Sequence, residues 1–168
     1  MKAIIYTSNT GSTAEYAQLL GKELNLPVHS LQQAKNKVPA GSEIIYLGWI
    51  MAGGIKGYKE AAKLYKVRAV CGVGMGQTGT QLKEVRDKNA IPQRIPLFTL
   101  QGNFDVKKLH GVYRFMMNVM VKTAGKGLAN KTDRTPEEDD MLDMMINGGK
   151  RVSLQNLKAV TEWYKSLN

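Results

Sequence analysis

A short segment near the start of the chain concentrates hydroxyl side chains in a way that suits one phosphate group. The hydroxyls belong to Ser8, Thr10, Ser12 and Thr13. The segment follows an apolar run at residues 3–6 and precedes a helical pattern from Ala14, so we expect a strand-to-helix turn. The first N–H groups of such a helix lack intrahelical partners, and Gly11 lets the backbone bend closely around an anion. The simpler alternative is an ordinary helix cap formed by one hydroxyl.

Apolar runs alternate with helical patterns along the rest of the chain, which predicts a parallel sheet covered by helices on both faces. Strands are predicted near residues 2–7, 27–31, 43–49, 68–74 and 95–101, and helices near 12–25, 57–66, 79–89, 107–124, 136–147 and 153–167. We expect an α/β three-layer sandwich with five parallel strands in the order 2-1-3-4-5. A ligand of such a sheet binds beyond the carboxyl ends of the strands, where the strand order reverses.

The spacing Ser8-x-Thr10-Gly11-x-Thr13 resembles the phosphate loop of flavodoxins, Thr/Ser-x-Thr-Gly-x-Thr, which binds the monophosphate of FMN. The resemblance implies a flavodoxin-like flavoprotein in which FMN is the cofactor. It also implies that the phosphate is held by Ser8, Asn9, Thr10, Gly11, Ser12 and Thr13. A nucleoside triphosphatase P-loop is excluded, because the required Gly-Lys-Ser/Thr end is missing.

Two further loops are expected beside the flavin ring. The second loop contains Trp49, Ile50, Met51, Ala52, Gly53 and Gly54, and the third loop contains Gly74, Met75, Gly76, Gln77 and Gly79. The second loop offers an aromatic face and backbone polar groups for the ring edge, although Trp49 alternatively packs under the sheet edge. The third loop also matches G-x-G-x-x-G, but a dinucleotide site would need an acidic residue about twenty positions later, where Phe98, Thr99 and Leu100 stand.

The chain departs from common flavodoxins in two ways. The third loop lacks the aromatic residue that many flavodoxins stack on the outer flavin face, so we expect a more open ring on which a substrate can stack. The chain is also basic, with 24 Lys plus Arg against 14 Asp plus Glu and a net charge of +10. The lysines are dispersed and no nucleic-acid motif accompanies them, so nucleic acid is not an expected partner. An acidic hydrophobic substrate, an acidic redox partner protein and an anionic membrane remain open.

A helical insertion is expected at about residues 105–147, after the fifth strand. Within it, a helix is predicted near residues 107–124. Placed on a helix, the segment 105–127 forms one polar, mostly basic stripe of His110, Arg114, Asn118, Lys122 and Lys126. Such a helix either covers the sheet or makes peripheral membrane contact. Gly102, the run 114–116, Lys122 and the pair 124–125 are similar to the corresponding stretch of the menaquinone-dependent protoporphyrinogen IX dehydrogenases. That resemblance implies an oxidoreductase with a quinone acceptor.

Length and composition fit one domain at residues 1–168, because a 168-residue chain with 43% hydrophobic residues can bury a core unaided. Cys71 is read as a buried strand residue in a reducing compartment. Without a signal pattern or a bilayer-spanning run, we expect a cytoplasmic protein, peripheral at the inner membrane face. No metal site and no catalytic side chain are identified. The function remains open between an FMN oxidoreductase, a one-domain electron carrier and a flavin-free binding module.

Overall fold

The computed structural model describes residues 1–103 and 111–167. The strands are β1 (Ala3–Thr7), β2 (Val28–Ser30), β3 (Glu43–Met51), β4 (Gly54–Ile55), β5 (Lys66–Gly74) and β6 (Leu97–Gln101). The helices are α1 (Ser12–Leu24), α2 (Leu31–Lys37), α3 (Tyr58–Leu64), α4 (Leu82–Asn89), α5 (Gly111–Ala129), α6 (Pro136–Asn147) and α7 (Lys158–Lys165), and a 3-10 turn at Gln155–Leu157 precedes α7. The alternation expected from the sequence is therefore present.

The central sheet has the strand order β2-β1-β3-β5-β6, and its neighbouring strands run parallel. This confirms the predicted order 2-1-3-4-5. The order reverses beside β1, so the carboxyl ends of β1 and β3 lie at the switch point where α/β sheets bind ligands. The sequence analysis missed one strand, because β4 pairs antiparallel with the end of β3.

Helices cover both faces of the sheet. The helices α2, α3 and α4 pack on one face around Ile44 and Tyr46, whereas α1 and α7 pack on the other around Ile45 and Leu47. These four consecutive residues of β3 are fully buried, because successive side chains point to opposite faces and both faces are covered. Two-sided burial is the physical reason for the continuous apolar runs in the sequence.

The helix α2 was not predicted. It begins with a capping box, in which the Ser30 hydroxyl accepts from the Gln33 N–H and the Gln33 side chain accepts from the Ser30 N–H. Only Leu31 and Ala34 of its seven residues are buried, so its apolar signal is weak. The predicted strand at 27–31 is correspondingly short.

The insertion is a pair of helices that pack against each other. Gly125 of α5 is buried, and a Cβ added there would lie 3.9 Å from Sδ of Met145 in α6. Within the described residues the main neighbour of α5 is α6. The start of α6 is as predicted, with Pro136 in the first turn and a capping box between Thr135 and Glu138. Residues 104–110, which include His110 and the predicted start of the helix at 107–124, lie outside the described part.

One face of α5 is exposed, and it differs from the predicted polar stripe. Phe115 is 69% exposed and Val119 is 44% exposed, and Lys122 and Lys126 are exposed on the same face. Asn118, Lys122 and Lys126 of the predicted polar stripe are all exposed. Because a four-residue repeat drifts around a helix with 3.6 residues per turn, Phe115 and Val119 share their face. No helix among the described residues is long and apolar enough to cross a membrane.

Candidate functional site

The predicted phosphate loop connects β1 to α1 through a left-handed glycine. Gly11 is the N-cap residue, with φ of 106°, and its N–H donates to Oγ of Ser8 at 3.2 Å. None of the described side chains caps the helix start, and no described heavy atom outside the adjacent residues lies within 4 Å of a Cβ built on Gly11. The alternative of an ordinary hydroxyl cap is therefore wrong. The N–H groups that start α1 at Ser12 line an open cradle, which fits an anion.

The hydroxyls of this loop have different surroundings. Oγ of Ser12 accepts from the Asn103 N–H at 3.0 Å and lies 3.4 Å from its carbonyl oxygen. Thr13 is 1% exposed, whereas Thr10 is half-buried and Asn9 is exposed at the turn. Ser12 thus fixes the start of the helix, and Asn9 and Thr10 lie at the mouth of the cradle.

The second loop, expected after a strand that ends near residue 49, is a tight hairpin. Strand β3 continues to Met51, reverses at Ala52 and Gly53, which have φ of 46° and 74°, and returns as β4. Two successive residues with positive φ are typical of a type I′ hairpin. The side chain of Asn89 in α4 forms hydrogen bonds with this hairpin.

The amide of Asn89 binds backbone groups that the sequence analysis assigned to the ligand's ring edge. Its Nδ2 donates to the Gly53 carbonyl oxygen at 2.8 Å, and its Oδ1 accepts from the Ile55 N–H at 2.7 Å. Nδ2 also donates to the carbonyl oxygen of Val85 in the same helix, at 2.7 Å, which fixes the orientation of the Asn89 side chain. Asn89 is only 5% exposed, so these hydrogen bonds fix the hairpin position.

Trp49 lies half-buried at the carboxyl end of β3, in register with Val73 of β5. Val73 belongs to the core on the α1 side of the sheet, so Trp49 lies on the side of the phosphate loop. Nζ of Lys56 is 5.8 Å from the centroid of the indole ring, within the range of a cation–π contact. This placement suits an aromatic ligand between the hairpin and the phosphate loop.

The first two loops are joined through Tyr46. Its hydroxyl lies 2.7 Å from both Oγ1 of Thr7 and the carbonyl oxygen of Lys56. Burial raises the pKa of Tyr46, which keeps the hydroxyl protonated. Gly57 has φ of 80° and no room for a side chain, because a Cβ there would overlap the Tyr46 hydroxyl and Oγ1 of Thr7. The backbone at Gly57 must therefore approach this pair closely.

Hydrogen bonds hold the third loop against β6. The Gly79 N–H donates to the Thr99 carbonyl oxygen at 3.0 Å, and the Thr99 hydroxyl donates to the Thr80 carbonyl oxygen at 2.6 Å. The Gln101 N–H donates to Oγ1 of Thr78 at 3.0 Å. The loop is therefore held against the neighbouring strand.

The helix α6 lies over this third loop. Nε2 of Gln101 donates to Oδ2 of Asp140 at 2.6 Å and lies 3.5 Å from the Met75 carbonyl oxygen. A cleft of about 180 Å³ separates the loop from α6, and it is lined by Met75, Gly76, Gln77, Thr80, Gln81, Glu137, Asp140 and Met141. The third loop, which lacks an aromatic residue, therefore faces helix α6 of the insertion across this cleft. The sequence analysis did not predict this contact.

The structure brings the three predicted loops to one edge of the sheet, since β1, β3 and β5 are parallel neighbours. A Cβ at Gly74 would lie 3.4 Å from Cβ of Ile50, and Ser12 contacts the segment that follows β6. Sequence reasoning missed this fourth segment, which contains Gly102 and Asn103. The signal was available, because β6 is also parallel and its carboxyl end lies at the same edge.

The buried cysteine and the acidic residues of the chain were also considered as candidate site residues. Cys71 is fully buried in β5, and burial raises the pKa of its thiol to about 12, which agrees with the prediction of a core residue. Within the described ranges, no three His, Cys, Asp or Glu side chains are grouped so that they could hold a metal ion. The acidic start of α6 includes Glu138, whose pKa is lowered by hydrogen bonds from Lys131 and from the Thr135 N–H.

A parallel sheet of this order, with a strand-to-helix anion cradle at its switch point, defines the flavodoxin-like class of α/β proteins. The family model described as a flavodoxin domain matches residues 3–131 of the chain. The match covers more than half of the chain, so the protein belongs to the flavodoxin-domain family. The matched range ends between α5 and α6. A search of curated proteins found no match to the chain.

Proposed function

We propose that the protein binds FMN and uses it for oxidation and reduction. The observation that carries this proposal is the open helix start behind Gly11, which suits a phosphate monoester held by backbone N–H groups and the Thr10 hydroxyl. Bound FMN would supply the electron or hydride transfer, as flavin cofactors do. The protein's own residues would orient it, with Trp49 and the third loop flanking the ring and Asn89 keeping the hairpin in position.

The visible spectrum of the purified protein, recorded with and without added FMN, tests this step. We expect flavin absorbance in the protein or quenching of FMN fluorescence on titration. A colourless protein that leaves FMN fluorescence unchanged would contradict the proposal and favour a flavin-free binding module.

We further propose an oxidoreductase similar to the menaquinone-dependent protoporphyrinogen IX dehydrogenases, in which a quinone accepts the electrons. Each cycle would remove two electrons and two protons from the substrate and deliver them to the quinone. The support is the position of α6, whose Asp140 binds Gln101 beside the third loop. In this chain the insertion flanks the third loop. In a simple electron carrier, we would expect that loop to stay exposed so that a partner protein can bind. The proposed substrate is acidic and hydrophobic. The cleft between the third loop and α6 is itself lined by two acidic residues, Glu137 and Asp140.

A one-domain electron carrier is the alternative. It is favoured by the side chains at the three loops, since no described one offers an evident substrate base. Turnover of protoporphyrinogen with a menaquinone analogue separates the two proposals. Turnover supports the oxidoreductase. Absence of turnover, together with rapid electron exchange with a flavin reductase, would contradict it and support the carrier.

The exposed face of α5 supports a third element of the proposal, peripheral contact with an anionic membrane surface on the cytoplasmic side. Phe115 and Val119 offer apolar area, and Lys122 and Lys126 follow on the same face of a chain with net charge +10. Apolar and basic groups on one helix face are typical of interfacial helices. A quinone acceptor would also be found in a membrane.

Sedimentation with phosphatidylglycerol vesicles tests this contact. We expect Lys122→Gln combined with Lys126→Gln to reduce binding about thirtyfold, since each basic residue near such a surface contributes about 1 kcal/mol. The matched control removes Lys59 and Lys63, which are also exposed and four residues apart, but on α3. Equal losses for the two pairs would show that net charge, and not the α5 face, governs binding.

A further inference from the structure

Asn103 contacts the start of α1 at two points. Its N–H donates to Oγ of Ser12 at 3.0 Å, and its Nδ2 donates to Oε2 of Glu15 at 3.2 Å. Ser12 is the first residue of α1, and its N–H belongs to the cradle behind Gly11. The orientation of the first turn of α1, and of its N–H groups, therefore depends on Asn103.

The same side chain holds the segment that returns from the insertion. Oδ1 of Asn103 accepts from the Arg151 N–H at 2.6 Å and from the Val152 N–H at 3.0 Å. The chain thus leaves the sheet for the insertion and returns from it at one residue. Asn103 therefore joins the start of α1 to the end of the insertion, through its backbone N–H at Ser12 and its side-chain amide at Glu15, Arg151 and Val152. The Tyr16 hydroxyl of α1 forms a second, longer link to the Arg151 carbonyl oxygen, at 3.4 Å.

The contacts continue from Arg151 to the third loop. The Arg151 guanidinium lies 3.1 Å from Oδ1 of Asp140 and 3.3 Å from Oδ2 of Asp143. Asp140 in turn accepts from Gln101, whose Nε2 lies near the Met75 carbonyl oxygen. The Asp140 and Arg151 side chains are about one quarter exposed, at 27% and 28%, so solvent screens this pair only in part.

We propose that Asn103 is a positioning residue that links FMN binding at the phosphate loop to the docking of α6 over the third loop. The inference rests on the proposed FMN binding. A ligand that spans the phosphate loop and the third loop contacts both ends of this series of hydrogen bonds. Binding at one end then favours docking at the other, and the linkage must be reciprocal.

Hydrogen exchange of residues 136–147, measured with and without FMN, tests the linkage. In the unmodified protein we expect FMN to slow exchange of α6 about tenfold, a coupling within the usual range. In Asn103→Ala we expect FMN to bind about tenfold more weakly and to leave α6 exchange unchanged. A purely structural role would change stability but not abolish the response to the ligand.

A paired exchange of groups gives the conservative control. Glu15→Gln combined with Asn103→Asp keeps the net charge, the hydrogen bond between the two side chains and the acceptor for Arg151 and Val152, so the FMN response should return. Asn36→Ala, at an exposed position of α2, should behave as the unmodified protein. Arg151→Met is the second variant, to be used if Asn103→Ala does not fold. It breaks the contact with α6 but retains the side-chain contact between Asn103 and Glu15, and it should also lose the response.

The outcomes separate the two proposals. FMN binding without any change in α6 exchange would overturn the linkage alone. A response to FMN that survives in both Asn103→Ala and Arg151→Met would also overturn it. An unmodified protein that does not bind FMN would overturn the proposed function, and with it the linkage.

Discussion

Two regions meet at the carboxyl edge of the sheet, and different kinds of contact hold them. The phosphate-loop region continues from strands whose residues, such as Ile45 and Leu47, are fully buried. The insertion has one helix, α5, that leaves Phe115 and Val119 exposed, and a second, α6, that reaches the third loop through Asp140.

The buried sheet edge contributes mainly to the stability of the fold, whereas the insertion distinguishes this chain from a simple flavodoxin-like domain. Burial of apolar area supplies most of the free energy of folding, so changes at the sheet edge should be costly. A few partly exposed polar contacts contribute much less. Among the described residues, α6 adds Met144 and Met145 to the buried apolar residues. We expect the insertion to open at a smaller cost than the sheet edge.

The largest expected effect is at Gly57. In Gly57→Ala, the new Cβ overlaps the Tyr46 hydroxyl and Oγ1 of Thr7 at a backbone with φ of 80°. We expect the free energy of unfolding to fall by about 3 kcal/mol or more, from steric overlap together with backbone strain. Urea denaturation measures the change.

Gly41→Ala is the matched control for Gly57→Ala. Gly41 also has a positive φ, of 75°, but no described heavy atom outside the adjacent residues lies within 4 Å of its added Cβ. This variant should lose only about 1 kcal/mol, the cost of the left-handed backbone. Equal losses at the two glycines would contradict the close approach of Gly57 to Tyr46.

Thiol labelling compares the two regions directly. Cys71 in β5 is fully buried and Met145 in α6 is 7% exposed. The native thiol of Cys71 should react only on global unfolding, because burial raises its pKa to about 12 and the thiolate is the reactive form. Met145→Cys in a Cys71→Ala background should react about 100-fold faster through local opening of the insertion.

Equal labelling rates for the two thiols would show that the insertion opens only with the whole protein. Labelling of both proteins in denaturant gives the reference, since both thiols should then react at similar rates. The labelling reagent and pH are kept the same throughout.

A smaller effect is expected at the hairpin. Asn89→Ala leaves the buried Ile55 N–H without its acceptor, and should lower the free energy of unfolding by about 2 kcal/mol. Asn36→Ala, at an exposed helix position, should change it by less than about 0.5 kcal/mol. A negligible change in the free energy of unfolding of Asn89→Ala would mean that the hairpin does not depend on its hydrogen bonds to α4.

The sequence predicted those parts of the molecule that local patterns determine. The buried runs at β3 and β5 predicted a parallel sheet covered on both faces, and the position of the phosphate loop followed from the spacing of Ser8, Thr10 and Thr13. The hairpin was missed because β4 has only two residues and its turn, Ala52-Gly53, lacks the Asn-Gly or Asp-Gly pair that usually marks such a turn.

The contacts of the insertion could not be predicted from local patterns. Asn103 binds Ser12 across 91 positions of sequence and Arg151 across 48, and neither pairing leaves a periodic signal. The sequence left open whether the apolar face that includes Phe115 covers the sheet or contacts a membrane. The surroundings of Phe115 depend on how α5 packs against α6, which amphipathic spacing alone does not determine.

Paired titrations with FMN and riboflavin test whether the cradle behind Gly11 holds the phosphate of FMN. Thr10→Glu places a carboxylate at the mouth of the cradle. Gln18→Glu adds the same charge at an exposed position of α1, farther from its start, and serves as the control. We predict that Thr10→Glu weakens FMN binding about 100-fold through repulsion of the phosphate, while riboflavin binding changes less than about threefold. Equal losses for the two ligands would contradict the account.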